Sequence, residues 1–119
     1  MAEQIIPIIS EMKTQFKEWR ELLIIKVSAK QYSTFNSSFY SLVSCMDYNH
    51  PRYVAELGND SKLFGFYWII KHLKDVQYEK CIQLVNKLPG QEDKIDRMNK
   101  LWAKLEKIRS TTILEKYGL

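Results

Sequence analysis

Cysteine and glycine are scarce in this chain of 119 residues, and their scarcity limits what the chain can do. Two cysteines cannot build the disulfide framework of a small secreted protein, so Cys45 and Cys81 are interpreted as reduced thiols. The four scattered glycines form no phosphate-binding or dinucleotide-binding fingerprint. The sequence therefore offers neither a disulfide scaffold nor a nucleotide-binding motif.

Long apolar runs are also missing. The run from Leu63 to Ile70 is far shorter than the roughly 20 residues that a membrane-spanning helix needs. The first residues lack the basic stretch that begins a secretory signal peptide. We therefore expect a soluble, cytoplasmic protein that has no membrane partner.

Side chains that could bind a metal or perform catalysis are few and poorly spaced. Cys45 and His50 are five residues apart and His72 and Cys81 are nine apart, and neither spacing is typical of zinc ligands. No glycine-rich nucleophile turn accompanies Cys45 and His50. The sequence therefore predicts no metal site, no cofactor and no enzymatic activity.

Apolar residues, in contrast, are as frequent as in an ordinary globular protein. They make up 45% of the chain, and aromatic residues make up 13%. A chain of this length and composition can bury a sizeable core without a disulfide or a metal. Residues 1–119 are therefore predicted to form a single helical domain.

The spacing of these apolar residues predicts an all-α fold, a compact bundle of four to five helices with long N- and C-terminal helices. Helices are predicted over 6–29, 37–47, 76–88 and 91–116, with a short helical segment at 51–57. The run 63–70 fits either a helix or a buried strand. Helix is favoured because the chain holds no second strand candidate to pair with it.

Particular residues mark the predicted helix boundaries. The serine-rich stretch 31–38 is predicted to separate the first two helices, because such side chains compete for backbone hydrogen bonds. Asp75 is predicted to cap the helix at 76–88, and the pair Pro89-Gly90 to end it. Each predicted helix therefore has a local signal at one end or both.

Both terminal helices carry apolar residues at intervals of three and four, which places them along one side of each helix. The N-terminal set is Ile5, Ile9, Met12, Phe16, Trp19 and Leu23, and the C-terminal set is Ile95, Met98, Trp102 and Leu105. The two sets are predicted to pack within one bundle. Alternatively, one set pairs with another chain, which would give a homodimer or a partner-bound helix.

A basic stripe is predicted on the C-terminal helix, at intervals of three, three, four and three residues: Lys94, Arg97, Lys100, Lys104 and Lys107. These positions fall within a sector of about 140°. They could bind the phosphates of a nucleic acid. The alternative is a solvated helix face whose lysines pair with acidic residues of the same helix. The net charge of only +4 favours the second interpretation.

A span rich in serine and asparagine also holds six aromatic residues, which are Tyr32, Phe35, Phe39, Tyr40, Tyr48 and Tyr53. Aromatic side chains among small polar ones are typical of protein-binding surfaces. Tyr32, Tyr48 and Tyr53 flank predicted helix breaks and are therefore predicted to contact a partner.

These observations favour a small, non-catalytic protein-interaction module that acts as a regulator, adaptor or inhibitor through helical and aromatic surface. Its partner is then another protein. A nucleic-acid-binding protein that uses the basic stripe is the alternative. Many small helical viral proteins have this kind of composition, so a viral origin is one interpretation.

Overall fold

A computed structural model of the chain describes the backbone of residues 2–48, 68 and 71–117, and the side chains of residues 5–44, 68 and 71–111. The predicted segment at 51–57 lies outside these residues, as does the run 63–70 apart from Trp68. Trp68 is helical and exposed.

The described residues are helical apart from short connections, and no strand occurs among them, which confirms the predicted all-α fold. The helices are α1 (Ala2–Lys26), α2 (Ala29–Tyr48), α3 (Glu79–Val85) and α4 (Glu92–Tyr117), and a π-helical turn (Lys74–Tyr78) leads directly into α3. The two terminal helices are long, as predicted, with 25 and 26 residues.

The core lies where the two periodic sets meet. Helix α1 packs against both α2 and α4, and α2 also packs against α3 and the π-helical turn. Every member of the N-terminal set and of the C-terminal set is buried. The largest fully buried side chains include Trp19, Trp102, Phe16 and Phe35. The predicted packing of both sets within one bundle is therefore confirmed.

The predicted break at 31–38 is wrong, because α2 already begins at Ala29. The reason is a reciprocal cap in which the Ser28 N–H donates to Gln31 Oε1 (3.2 Å) and the Gln31 N–H donates to Ser28 Oγ (3.3 Å). The hydroxyl of Thr34 donates to the Lys30 carbonyl one turn earlier, so it does not compete with the helix. The same cap explains why α1 ends at Lys26 and does not reach residue 29.

The predicted role of Asp75 as a helix cap is also wrong. Asp75 lies inside the π-helical turn, and the chain is helical without interruption from residue 71 to residue 85. The wider turn places Leu73 and Tyr78, five residues apart, in the core. In a regular α-helix, residues five apart would lie about 140° from each other, whereas Tyr78 itself stands three residues before Cys81 and seven before Val85, on the buried side of α3.

The helix predicted to run to residue 88 ends earlier, at Val85, so the pair Pro89-Gly90 lies in the connection that follows it. The backbone turns at residues 86–90, and Gly90 has a φ of 79°, a left-handed conformation that side chains with a Cβ rarely adopt. Helix α4 then begins at Glu92, close to the predicted start. Helix α1 begins earlier than predicted, at Ala2, since Pro7 removes only one backbone donor near the helix start.

Two side-chain hydrogen bonds connect distant parts of the chain, the first buried and the second partly buried. The indole N–H of Trp19 donates to Gln91 Oε1 (3.0 Å), which ties α1 to the residue before α4. The hydroxyl of Tyr78 donates to Asn99 Oδ1 (2.6 Å), which ties the π-helical turn to α4. No helix in the described ranges is both long and apolar enough to cross a membrane.

Candidate functional site

The basic stripe lies on the exposed side of α4, along a groove between α4 and α1. Its first two residues are paired across that groove: Arg97 bonds the carboxylate of Glu11, and Lys94 lies 3.9 Å from that of Glu18. Both pairs are largely exposed to solvent, so each contributes at most about 1 kcal/mol. The N-terminal half of the stripe is therefore engaged within the protein.

The groove itself carries a balanced set of charges. Two adjoining pockets of about 430 and 480 Å³ follow it and share Glu11, Arg97 and Leu101. Four basic side chains line the two pockets together with four acidic ones, namely Glu11, Glu18, Asp93 and Asp96. A phosphate backbone entering this groove would meet as many like charges as opposite ones.

Lys100, Lys104 and Lys107 continue the stripe along α4. All three are exposed, and no ion pair joins them to another residue of the described ranges. They remain solvated lysines on one side of a helix, which is an ordinary feature of a helical surface.

A second surface lies where α1 and α2 meet, and its centre is the guanidinium of Arg20. That guanidinium donates from Nε to the Tyr32 hydroxyl (3.3 Å) and from Nη2 to the Tyr40 hydroxyl (3.4 Å). It also lies over two aromatic rings, 5.1 Å from the centre of Phe39 and 5.3 Å from that of Tyr40. These contacts hold a flexible, charged side chain in one position.

The environment keeps Arg20 charged. The hydrogen bond to Tyr32 raises the pKa of Arg20 above its ordinary value, against a smaller opposing effect of burial. The rings of Phe39 and Tyr40 meet edge to face with centres 5.6 Å apart, and the ring of Phe39 is buried. The guanidinium therefore lies over two rings, of which Phe39 belongs to the core and Tyr40 is exposed.

Large side chains remain exposed around this arginine. Tyr40 is 52% exposed and Ile24 is 58% exposed. Ile24 also borders a pocket of about 260 Å³ together with Lys17, Arg20, Glu21 and Tyr32. We refer to Lys17, Arg20, Ile24, Tyr32 and Tyr40 as the Arg20 patch.

Of the three tyrosines predicted to contact a partner, only Tyr32 has a side chain that the structure describes. Tyr32 is partly exposed and belongs to the Arg20 patch. Tyr48 is the last residue of α2, and its side chain lies outside the described residues, as does all of Tyr53. The structure thus brings Tyr32 together with Arg20 and Tyr40, two residues that the sequence analysis did not select for this surface.

The helical spacing of Tyr32 and Tyr40 could have predicted this surface from the sequence. In a continuous helix, residues 32 and 40 are eight apart and share one side. The predicted break at 31–38 hid that relation. Arg20 and Ile24 stand four apart on α1 and lie off its buried set, so they too share an accessible side. The capping pattern at Ser28 and Gln31 was the missing sequence cue.

Neither surface offers metal or thiol chemistry. Among the described residues, no group of histidine, cysteine or acidic side chains could hold a metal ion. Cys81 is buried, and burial raises the pKa of its thiol to about 12. The thiol therefore stays protonated at neutral pH and is a poor nucleophile. Cys45 and His50 lie outside the described side chains.

Comparison with known proteins adds no relationship: no protein-family model matches the chain, and neither curated proteins nor solved structures give a significant match.

Proposed function

We propose that the protein is a non-catalytic interaction module that binds another protein through the Arg20 patch. The observation that carries this proposal is the partly exposed but fixed arginine, stacked on Phe39 and Tyr40 and bonded to Tyr32 and Tyr40. Arginine and tyrosine dominate the binding energy of many protein interfaces, because they offer large contact area together with hydrogen bonds. A side chain that is already held in place loses little further entropy on binding.

The composition of the patch also suits a protein partner. It combines an exposed aliphatic residue, Ile24, with an exposed ring, Tyr40, and a small adjoining pocket. Interfaces between proteins commonly place such apolar groups at the centre and polar groups at the rim. A regulator, adaptor or inhibitor would need no more than such a surface.

Nucleic-acid binding through the basic stripe has weaker support. Two of the five stripe residues are paired with α1, and the groove beside them carries equal numbers of basic and acidic side chains. Binding to a phosphate backbone depends on an excess of positive charge that releases counterions. For this reason the Arg20 patch is the stronger candidate.

Affinity capture from the native host, followed by quantitative mass spectrometry, tests the proposal. The baits are the parent protein, a patch variant with Ile24→Ser and Tyr40→Ser, and a control with Lys100→Ser and Lys104→Ser on α4. All substituted side chains are exposed, so the fold should persist. We expect the parent and the control to recover the same partner, and the patch variant to recover about tenfold less.

Nuclease treatment separates the two functions. Recovery that survives nuclease and depends on the patch supports a protein partner. Recovery that vanishes with nuclease or with the α4 control, but not with the patch variant, contradicts the proposal and favours the basic stripe.

A further inference from the structure

The Arg20 guanidinium has hydrogen-bonding capacity left over. An arginine carries five N–H donors, and only one on Nε and one on Nη2 are used, by Tyr32 and Tyr40. No other residue of the described ranges accepts from it or pairs with it. Its end-on edge, formed by Nη1 and the second Nη2 hydrogen, is the edge that binds a carboxylate in a bidentate manner.

The pocket beside this arginine has a small excess of positive charge. Lys17 and Arg20 line it with one acidic residue, Glu21. Lys17 and Glu21 are four residues apart on α1, yet no ion pair within 4.0 Å joins the ammonium of one to the carboxylate of the other. Neither side chain forms an ion pair with another described residue. One added negative charge would therefore neutralise the pocket.

The wall of the pocket is apolar on one side. Ile24 contributes an aliphatic surface that is 58% exposed, one helical turn beyond Arg20. A ligand that fills the pocket would thus place a charged group near Arg20 and Lys17 and an aliphatic group against Ile24. The available volume of about 260 Å³ suits one or two side chains rather than a folded element.

We propose that the pocket between Lys17, Arg20 and Ile24 receives an acidic side chain of the partner, an aspartate or a glutamate that stands next to an aliphatic residue. This inference rests on the proposed function and identifies the chemistry of the partner segment. A carboxylate fits better than a phosphate, because a doubly charged group would leave excess negative charge beside Glu21. The planar fork of Arg20 also matches the two oxygens of a carboxylate.

A titration followed by nuclear magnetic resonance tests the inference. The isotope-labelled protein is titrated separately with N-acetyl-leucyl-aspartyl amide and with its asparaginyl counterpart, which has the same shape and no charge. We expect the acidic probe to shift backbone amides of residues 17–24 and 31–40 and to bind about fivefold or more tightly than the neutral probe. Added salt should reduce this difference.

Matched variants locate the effect. Arg20→Gln and Lys17→Gln should each reduce the preference for the acidic probe, and Lys17→Gln does so without disturbing the tyrosine contacts. Arg97→Gln, which removes an arginine from the α4 groove, should leave the preference unchanged. Arg20→Lys should keep part of it, since the charge remains and the fork is lost.

Several results would overturn the inference. These are equal affinity for the two probes, no shift at the patch, a preference that depends on Arg97, or tighter binding of a third probe, N-acetyl-leucyl-phosphoseryl amide, titrated in the same way. Equal binding of both probes at the patch would leave the proposed function intact, whereas capture that is independent of the patch would remove the proposed function itself.

Discussion

Arginine has different roles on the two surfaces that flank α1. In the groove between α1 and α4, Arg97 is exposed and forms an ion pair with Glu11. Where α1 meets α2, Arg20 stands over aromatic rings, and its hydrogen-bond partners are neutral hydroxyls. The charge of Arg97 is therefore balanced by a carboxylate within the protein, whereas the charge of Arg20 has no such counter-ion and can interact with a partner.

This difference shows why a count of basic residues is a poor guide to a binding surface. The basic stripe holds five positive charges, but acidic neighbours from α1 and α4 balance the groove beside it. The Arg20 patch holds only two positive charges next to one acid, and its arginine is fixed in place. Partner choice depends on which charges remain unmatched after folding.

The largest effect should come from the core that supports both surfaces. Trp19→Ala and Trp102→Ala should each lower the free energy of unfolding by about 3–5 kcal/mol, because each removes a large buried ring. Chemical denaturation monitored by circular dichroism measures this loss. An unchanged midpoint for either variant would mean that the two surfaces do not share this core.

Alkaline pH should weaken the same core. The pKa of the Cys81 thiol is raised from 9.0 to about 12 by burial, and burial also raises the pKa of the Tyr78 hydroxyl. Because the folded form holds these protons more tightly, their contribution is complete below pH 9 and is lost as pH rises toward 12. The loss from Cys81 is on the order of 4 kcal/mol at most.

Denaturation curves at a series of alkaline pH values check this expectation. Cys81→Ala should unfold with a shallower dependence on pH than the parent, and its binding through the Arg20 patch should be unchanged at neutral pH. A variant with the same pH dependence as the parent, or one that stays folded but loses binding, would contradict the structural role of this thiol.

The two tryptophans should differ when only their indole N–H is removed. Trp19 donates to buried Gln91, whereas the indole N–H of Trp102 is buried and has no acceptor in the described part of the chain. Trp19→Phe should therefore cost about 1–3 kcal/mol more than Trp102→Phe, since it leaves Gln91 without a partner. Equal losses of unfolding free energy in the two variants would show that this bond does not hold α1 to the start of α4.

The smallest effect is expected on the basic stripe. Reversal of charge at Lys100, Lys104 and Lys107 should change stability by only a few tenths of a kcal/mol per site, because these lysines are solvated. Partner capture should be unaffected. A gel-shift assay at low and moderate salt provides the check: salt-sensitive nucleic-acid binding that the triple variant loses would reverse the comparison between the two surfaces.

Local patterns were sufficient to predict the long helices and their buried sides. The spacing of Ile5 to Leu23 and of Ile95 to Leu105 depends only on helical geometry, and both sets are buried. The break assigned to 31–38 failed because serine and threonine side chains were weighed by composition alone. The hydroxyl of Thr34 in fact donates to the Lys30 carbonyl in the preceding turn, while Ser28 and Gln31 form the cap.

The site was harder to predict because it depends on contacts between helices. Tyr32 was selected from its position near a predicted break, but its relation to Arg20 requires the packing of α1 on α2. The ion pair of Arg97 with Glu11 likewise joins residues 86 positions apart. Tyr78 continues the spacing of Cys81 and Val85, whereas the π-helical turn that brings Leu73 to the same core departs from that spacing.

Site-specific photo-cross-linking in the native host tests the central claim most directly. A photoreactive amino acid replaces Ile24 in the Arg20 patch and, in a separate protein, Lys104 on the basic stripe, both of which are exposed. We expect a discrete protein adduct from position 24 and none from position 104. An adduct from position 104 alone, whether with protein or with nucleic acid, would contradict the assignment of partner binding to the Arg20 patch.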